Sequence, residues 1–439
     1  MFSPEVNTIL IFVLMLAGIF MGYQLSLVLA GIGLLYGVFL FGPNYINTLI
    51  MGFLNVMQNY VLLAIPLFVL MGNIMQEIGA GKRIFDSLYV LAGRLRGGLA
   101  IATNLLATIF AACTGVVGAS VVTVGTLGLP AMLSRNYDKK MASGLICAGG
   151  CLGVLIPPSI MIVVYGPIAG IPVGQLFMSV LPAGLLLSFT YTLYILARCY
   201  INPKMGPPIT DEKRKEAFEK IGVFGLVSSF LIPVLIILAV LGSIFFGVAA
   251  PTEAAAVGVV ASMVLGICYK ELSWEKLKNS LSSTLTTTSM ILTMSVGAIM
   301  FISTFTSMGG IDVVKNFILA LPFGKWGIFL LMCIVVIFLG MLLDWIGIVY
   351  LVVPLYTPIA IELGFNPVWF ATIMILLLQI SYLTPPFALS IFYFKGIAPP
   401  DITTRDLYSA VLPYIGLQVL AISFCILVPQ FVLWLPGLM

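Results

Sequence analysis

Two segments of this chain, 228 residues apart, each set a Pro-Pro pair inside a long apolar stretch: Gly153-Val154-Leu155-Ile156-Pro157-Pro158-Ser159 and Ser381-Tyr382-Leu383-Thr384-Pro385-Pro386-Phe387. Proline breaks a helix by clashing with the preceding turn and withholding an N–H. In hydrocarbon, the backbone groups freed by such a break survive only when buried in protein or lining a hydrated cavity. Two matched breaks at membrane depth therefore require other elements around them, and the pairing points to a shared binding site.

The bilayer setting follows from composition. Apolar residues make up 61% of the chain and charged residues 8%, with a mean hydropathy of +1.17. These are values of an integral membrane protein. Apolar runs long enough to span bracket nearly every charged cluster. Alternating barrel strands are absent, so the expected class is an all-α polytopic membrane protein. The first apolar run, Ile9 to Phe20, has no basic region before it and no small-residue cleavage site. It reads as the first membrane helix, not as a removed signal peptide. Cys113, Cys147, Cys151, Cys199, Cys268, Cys333 and Cys425 show no metal-ligand spacing, and an odd count mostly inside apolar segments fits packing better than disulfides.

The 228-residue shift that superposes the Pro-Pro pairs also lays Pro130 on Pro358, Tyr137 on Phe365, Tyr165 on Tyr393 and Pro172 on Pro400. A three-residue insertion then carries Leu176-Phe177 onto Leu407-Tyr408 and Leu181-Pro182 onto Leu412-Pro413. The stretches 98–199 and 326–430 are thus expected to be an internal duplication.

Spans are expected at 4–20, 23–42, 60–79, 140–170, 174–199, 221–248, 254–270, 283–309, 367–396 and 406–431. Segments 44–57, 82–95, 272–282 and 311–321 read as interfacial helices. Segments 98–134 and 326–364 are apolar but interrupted near their middles. Each fits two short helices that enter and return on one side, or else an ordinary transmembrane hairpin. With the re-entrant reading, 18 of the 20 Lys and Arg residues, all but Lys315 and Lys325, fall on the cytoplasmic side, as the positive-inside rule requires. The repeats are then inverted. The expected organisation is N-terminal scaffold helices (1–97), a first repeat with hairpin and broken helix (98–199), a solvated cytoplasmic linker (200–220), further scaffold and arms (221–325), and a second repeat (326–431).

Intramembrane acids are costly and usually functional. Asp344, centred in the second interrupted segment, fits either a cation site or the cap of a helix starting at Trp345. Glu253, in Ala250-Pro251-Thr252-Glu253, fits a first-turn capping role. Hydroxyls at the breaks (Thr114, Ser120, Thr123, Thr126 and Ser159; Ser381, Thr384 and Ser390) together with unwound carbonyls are hard oxygen donors suited to an alkali cation. Any of them can instead bond back to its own helix. Half-helix N-termini offer N–H groups to a carboxylate. Histidine is absent, which removes His-based acid–base catalysis and His-ligated metal sites. There is no nucleotide-binding glycine loop, and an enzyme is not expected.

At these residues the chain resembles the large membrane (M) subunit of a tripartite ATP-independent periplasmic (TRAP) transporter. The likeness rests on Gly115-Val116-Val117-Gly118-Ala119-Ser120 through Pro130-Ala131-Met132, on Gly153 through Ile160, and on Leu176-Phe177 with Leu181-Pro182-Ala183-Gly184. Pro251-Thr252-Glu253-Ala254-Ala255-Ala256 and Thr384-Pro385-Pro386 complete it. The resemblance implies a multi-pass protein of the bacterial inner membrane, a sodium-coupled symporter that imports small organic acids by an elevator mechanism. It implies a small four-helix membrane subunit and a soluble periplasmic substrate-binding protein as partners, with membrane lipid around the bundle and no nucleic acid. Carried over by motif, the sodium-binding role falls to Gly115, Ser120, Pro157, Ser159, Gly340, Asp344, Gly347, Thr384 and Pro385. Substrate binding is assigned to Thr114, Thr123, Ser159 and Thr384. Many relatives follow the second Pro-Pro with a small residue and glycine, where this chain has Phe387-Ala388; this resembles the branch for 2-oxo or hydroxy monocarboxylates rather than the sialic-acid type. A binding-protein-independent carboxylate symporter or antiporter is the alternative, and a membrane enzyme a distant third.

Overall fold

Apolar backbone in lipid satisfies itself most simply as helix. Among the described residues, 3–209 and 211–439, the computed structural model contains helices and no strand. The chain begins with α1 (Pro4–Phe20), α2 (Leu25–Phe41), α3 (Ile46–Met57), α4 (Ala64–Glu77) and α5 (Ala80–Ala92). α3 and α5 fall on two of the four segments expected as interfacial helices, 44–57 and 82–95. Then come α6 (Gly98–Thr114) and α7 (Val117–Leu133), which pack on each other as a hairpin. α8 (Lys139–Cys151) and α9 (Ile160–Ala169) are the two pieces of the first broken helix, and α10 (Val173–Ile201) follows. α8 starts at Asp138, whose carboxylate accepts the Met141 N–H at 2.7 Å.

The middle of the chain departs from expectation twice. The stretch 200–220 does not stay a loop to its end, because α11 (Asp211–Phe245) already covers its last residues; residue 210 lies outside the described residues. Gly222, at φ 70° and ψ 165°, interrupts α11 and forms an elbow between the hydrophilic part and the membrane part. After α12 (Pro251–Cys268), the interfacial helix expected at 272–282 and the span expected at 283–309 form one helix, α13 (Trp274–Ser307). No proline or glycine separates them. The hydroxyls in between bond to carbonyls four residues back, as in Ser280 to Lys276 (2.9 Å) and Thr284 to Ser280 (2.7 Å), so a polar run stays helical. Glu253 caps α12, its carboxylate accepting the Ala250 N–H at 2.9 Å.

The remainder is α14 (Gly310–Leu319), a second hairpin of α15 (Gly324–Gly340) and α16 (Trp345–Glu362), the second broken helix of α17 (Pro367–Ser381) and α18 (Leu389–Lys395), then α19 (Thr404–Leu427) and α20 (Gln430–Leu433). The order hairpin, broken helix, long helix thus occurs twice. The hairpin bases correspond too. The Tyr137 hydroxyl accepts the Leu99 N–H at 3.2 Å, and at the matching place Phe365 lies 5.3 Å from Trp326, centroid to centroid. Seven helical stretches among the described residues are long and apolar enough to cross a membrane.

Two sets of contacts organise the bundle. α13 is the axis of the first. It lies so close to α2 that a Cβ on Gly33 would stand 2.5 Å from the Met300 carbonyl carbon, and one on Gly297 would stand 2.3 Å from the Ser26 oxygen. Small residues at such crossings let membrane helices gain van der Waals contact. Gly297→Val should therefore lower the thermal unfolding midpoint in detergent, by the equivalent of about 1–3 kcal/mol; an unchanged midpoint would contradict this crossing. The second set joins the repeats. Ser390 donates to the Cys147 carbonyl (2.6 Å), Thr372 to the Ser179 hydroxyl (2.8 Å) and Tyr414 to the Met141 carbonyl (3.1 Å). Lys139–Asp401 and Lys140–Asp406 pairs close this junction at the surface. The hydrogen bond from Lys139 holds the Asp401 carboxyl below the usual carboxylate range. Such exposed pairs fix register more than they stabilise.

Candidate functional site

The tip of each hairpin rests on the break of the broken helix that follows it. Gly115 ends α6 at φ 63°, in the left-handed region where glycine carries no steric penalty. A Cβ there would stand 3.3 Å from the Ile160 side chain and 3.4 Å from the Pro158 carbonyl oxygen. In the second hairpin, a Cβ on Gly340 would stand 1.9 Å from Ser381 Oγ. The first repeat has the same contact with its partners exchanged. There the glycine, Gly153, is on the broken helix, and its Cβ would stand 2.6 Å from Ser120 Oγ of the hairpin. Gly153 and Ser381 are equivalent at the 228-residue offset. Each tip therefore closes on its break through one glycine and one serine.

Between the two tips lies a cavity of about 70 Å³. The first repeat lines it with Gly115 to Gly118, Val154 and Ile160; the second contributes Asp344, Trp345, Tyr382 and Tyr393. The third wall is α13, through Thr287, Met290 and Ile291. Asp344 takes the cap position of α16 with extended backbone (φ −70°, ψ 154°). Its carboxylate faces the Trp345 and Ile346 amides without closing a capping hydrogen bond. No ion pair to it occurs among the described residues. The Tyr382 hydroxyl, on the same cavity, is buried with no hydrogen-bond partner among the described residues, and the same holds for both side-chain ends of Gln379 and the Ser381 hydroxyl just before it in the chain. Buried polar groups are normally paired, so a hydroxyl left without a partner on the same cavity as a carboxylate favours a polar or cationic occupant.

The other residues singled out in the sequence divide clearly. Thr114 and Ser120 share a 2.7 Å hydroxyl–hydroxyl bond at the first tip. Ser159, buried, donates to the Val154 carbonyl across the first break, and Pro157 is buried beside it. Thr384 bonds back to the Ile380 carbonyl at 3.0 Å, and Pro385 with Pro386 and Phe387 is exposed. The first break is thus enclosed while the second lies open. Of the residues assigned from sequence, only Gly115 and Asp344 line the cavity itself. Thr114, Ser120, Pro157, Ser159, Gly340, Thr384 and Pro385 lie at the tips and breaks around it, and two others face elsewhere. Gly347 faces Leu25 of α2, and Thr123 packs on Gly81 of α5. The wall from α13 was missed, although the run Ser282-Ser283-Thr284-Leu285-Thr286-Thr287-Thr288-Ser289 is an unusual load of hydroxyls near a span.

Known proteins share this sequence and architecture. Residues 8–431 match the family described as "Tripartite ATP-independent periplasmic transporter, DctM component". The chain is 30% identical over 405 residues, 91% of its length and 92% of the relative's, to the C4-dicarboxylate TRAP transporter large permease protein DctM of Pseudomonas aeruginosa. It is also 30% identical to the sialic acid TRAP transporter large permease protein SiaM of Vibrio cholerae, covering 87% of each chain. The equal identities favour neither of these two named substrates, and neither relative is named for a 2-oxo or hydroxy monocarboxylate. In architecture it is similar to the crystal structure of the Alcanivorax borkumensis YdaH transporter, with a TM-score of 0.60 at 17% identity, covering 90% of this chain and 89% of that one.

Proposed function

Because this chain belongs to the DctM-component family of tripartite ATP-independent periplasmic transporters, we propose that it imports a small organic anion together with sodium ions. It is a multi-pass protein of the bacterial inner membrane and a large permease subunit. The observation that carries the transport reading is the convergence on a single cavity of two hairpin tips, two helix breaks and one carboxylate with no ion-pair partner among the described residues. Sodium is assigned to the tip–break contacts: Gly115, Ser120, Pro157 and Ser159 on one side, Gly340, Asp344, Thr384 and Pro385 on the other. Gly347 and Thr123 are left out, since both face other helices. An organic acid is the natural cargo, as the relatives are named for C4-dicarboxylates and for sialic acid.

At about 70 Å³ the cavity holds a cation or a few waters. Typical small-molecule sites are several times larger, on the order of 300–1,000 Å³. A substrate therefore needs the hairpins and α13 to separate, which supports an elevator-like movement of hairpins and broken helices against α13. We read both hairpins as re-entrant, because Gly115 lies against Pro158 halfway along the 139–169 element. A small membrane subunit and a periplasmic binding protein are the partners expected of such a permease.

Reconstitution of the permease with that subunit tests the reading. Uptake of a radiolabelled organic acid into proteoliposomes should require both an inward sodium gradient and the loaded binding protein. Equal uptake with potassium replacing sodium would overturn the coupling. Uptake with free substrate alone would instead favour a carrier that works without a binding protein.

A further inference from the structure

A second, larger cavity, about 610 Å³, opens between α5, the end of α7 and α11. Its size falls within the range of small-molecule sites, about 300–1,000 Å³. Its lining mixes apolar Phe85, Ala131 and Ile221 with polar Lys82, Arg83, Tyr89 and Ser229. Asp86 is the acid on the wall and has an interaction of its own. Arg83 is largely spoken for, with Glu271 at 3.6 Å and the Tyr269 ring centroid at 4.3 Å. Lys82, by contrast, has no partner among the described residues. Arg135 donates to the Tyr89 hydroxyl at 3.0 Å, which leaves the Tyr89 proton free to point into the cavity. An anion entering there meets an ammonium and a hydroxyl polarised by a guanidinium.

Depth and shape narrow the ligand. The cavity sits at the Gly222 elbow, where α11 turns from its hydrophilic part into the membrane. Lys82, Arg83 and Arg135 belong to the basic clusters that the positive-inside rule puts at the cytoplasmic face. A site at that depth, with both basic and apolar groups on its walls, matches a phosphate with acyl chains attached. We infer that it binds the headgroup of an anionic phospholipid. The phosphate sits against Lys82 and Tyr89, with the glycerol and first methylenes along Phe85 and Ile221. Its walls come from the first hairpin (Ala131) and from α5 and α11, so the lipid bridges the hairpin to its surroundings.

Lipid titration of the purified full chain in detergent, read by native mass spectrometry, tests this. The probes are dioleoylphosphatidylglycerol, dioleoylphosphatidylcholine and inorganic phosphate. Lys82 is exposed, so Lys82→Gln leaves the fold intact. Phosphatidylglycerol should bind in preference to phosphatidylcholine. Its affinity should fall roughly fivefold in Lys82→Gln, and further in Lys82→Gln/Arg135→Gln, as expected when basic charges near a headgroup are removed. The exposed Lys278→Gln, outside the cavity, should change nothing. Lack of headgroup preference, or an equal loss in Lys278→Gln, overturns the proposal. Saturable phosphate binding that phosphatidylglycerol does not displace also overturns it, and makes this a site for a free anion.

Discussion

Sodium-driven uptake by Asp344→Asn is expected to fall by at least about tenfold, with the protein still folded and inserted. The reason is local. Asp344 lies at the tip of an apolar hairpin, its capping hydrogen bond is not closed, and it has no ion-pair partner among the described residues. A carboxylate held that way in a membrane is costly unless something positive joins it. Asparagine keeps the shape and the ability to cap while removing the charge. The loss of a charge-assisted interaction is worth about 1.5–3 kcal/mol, or roughly one to two orders of magnitude in affinity. The measurement is initial uptake against sodium concentration in proteoliposomes. A raised half-saturating sodium concentration places the carboxylate with the cation. A wild-type sodium curve in Asp344→Asn reduces Asp344 to a cap.

Much of this arrangement was readable from residues because the informative ones are those with few backbone options. Proline marked both breaks, glycine marked the hairpin tips, and Glu253 caps α12 as its place after Pro251 suggested. What sequence could not supply was rotational phase. Gly347 is three residues from Asp344, and Thr123 is three from Ser120, close enough on a helix to share a face. Packing nevertheless turned Gly347 to α2 and Thr123 to α5. The same limit hid Thr287. A hydroxyl-rich stretch of α13 can bond back to its own carbonyls, as Thr284 and Thr286 do, so hydroxyl content alone does not reveal which side chain meets a cavity. The boundary within 272–309 was misjudged for a related reason, since polarity was taken as an end of helix where the backbone had no cause to stop.

The glycine–serine contact at the second tip offers the other large effect. Gly340→Ala should reduce uptake by roughly fivefold or more, through a clash of the kind that costs about 1–3 kcal/mol. An added methyl would stand 1.9 Å from Ser381 Oγ and 2.4 Å from Ser381 Cβ. Rotating the hydroxyl relieves the first contact but not the second, because the Cβ is fixed by the backbone of α17. Closing the hairpin on its break then demands that one helix shift. Ser381→Gly removes both clashing atoms, so Gly340→Ala/Ser381→Gly should recover uptake lost in Gly340→Ala. The first repeat already uses that solution, with Gly153 on the broken helix and Ser120 on the hairpin. Thermal unfolding of the three variants separates a packing defect from a transport defect. If Ser381→Gly fails to rescue while all three unfold like wild type, the Ser381 hydroxyl, unpartnered in its buried position, is needed for binding as well as for fit. If Gly340→Ala transports normally, the tip does not close on the break during the cycle, and the two-hairpin mechanism loses its second gate.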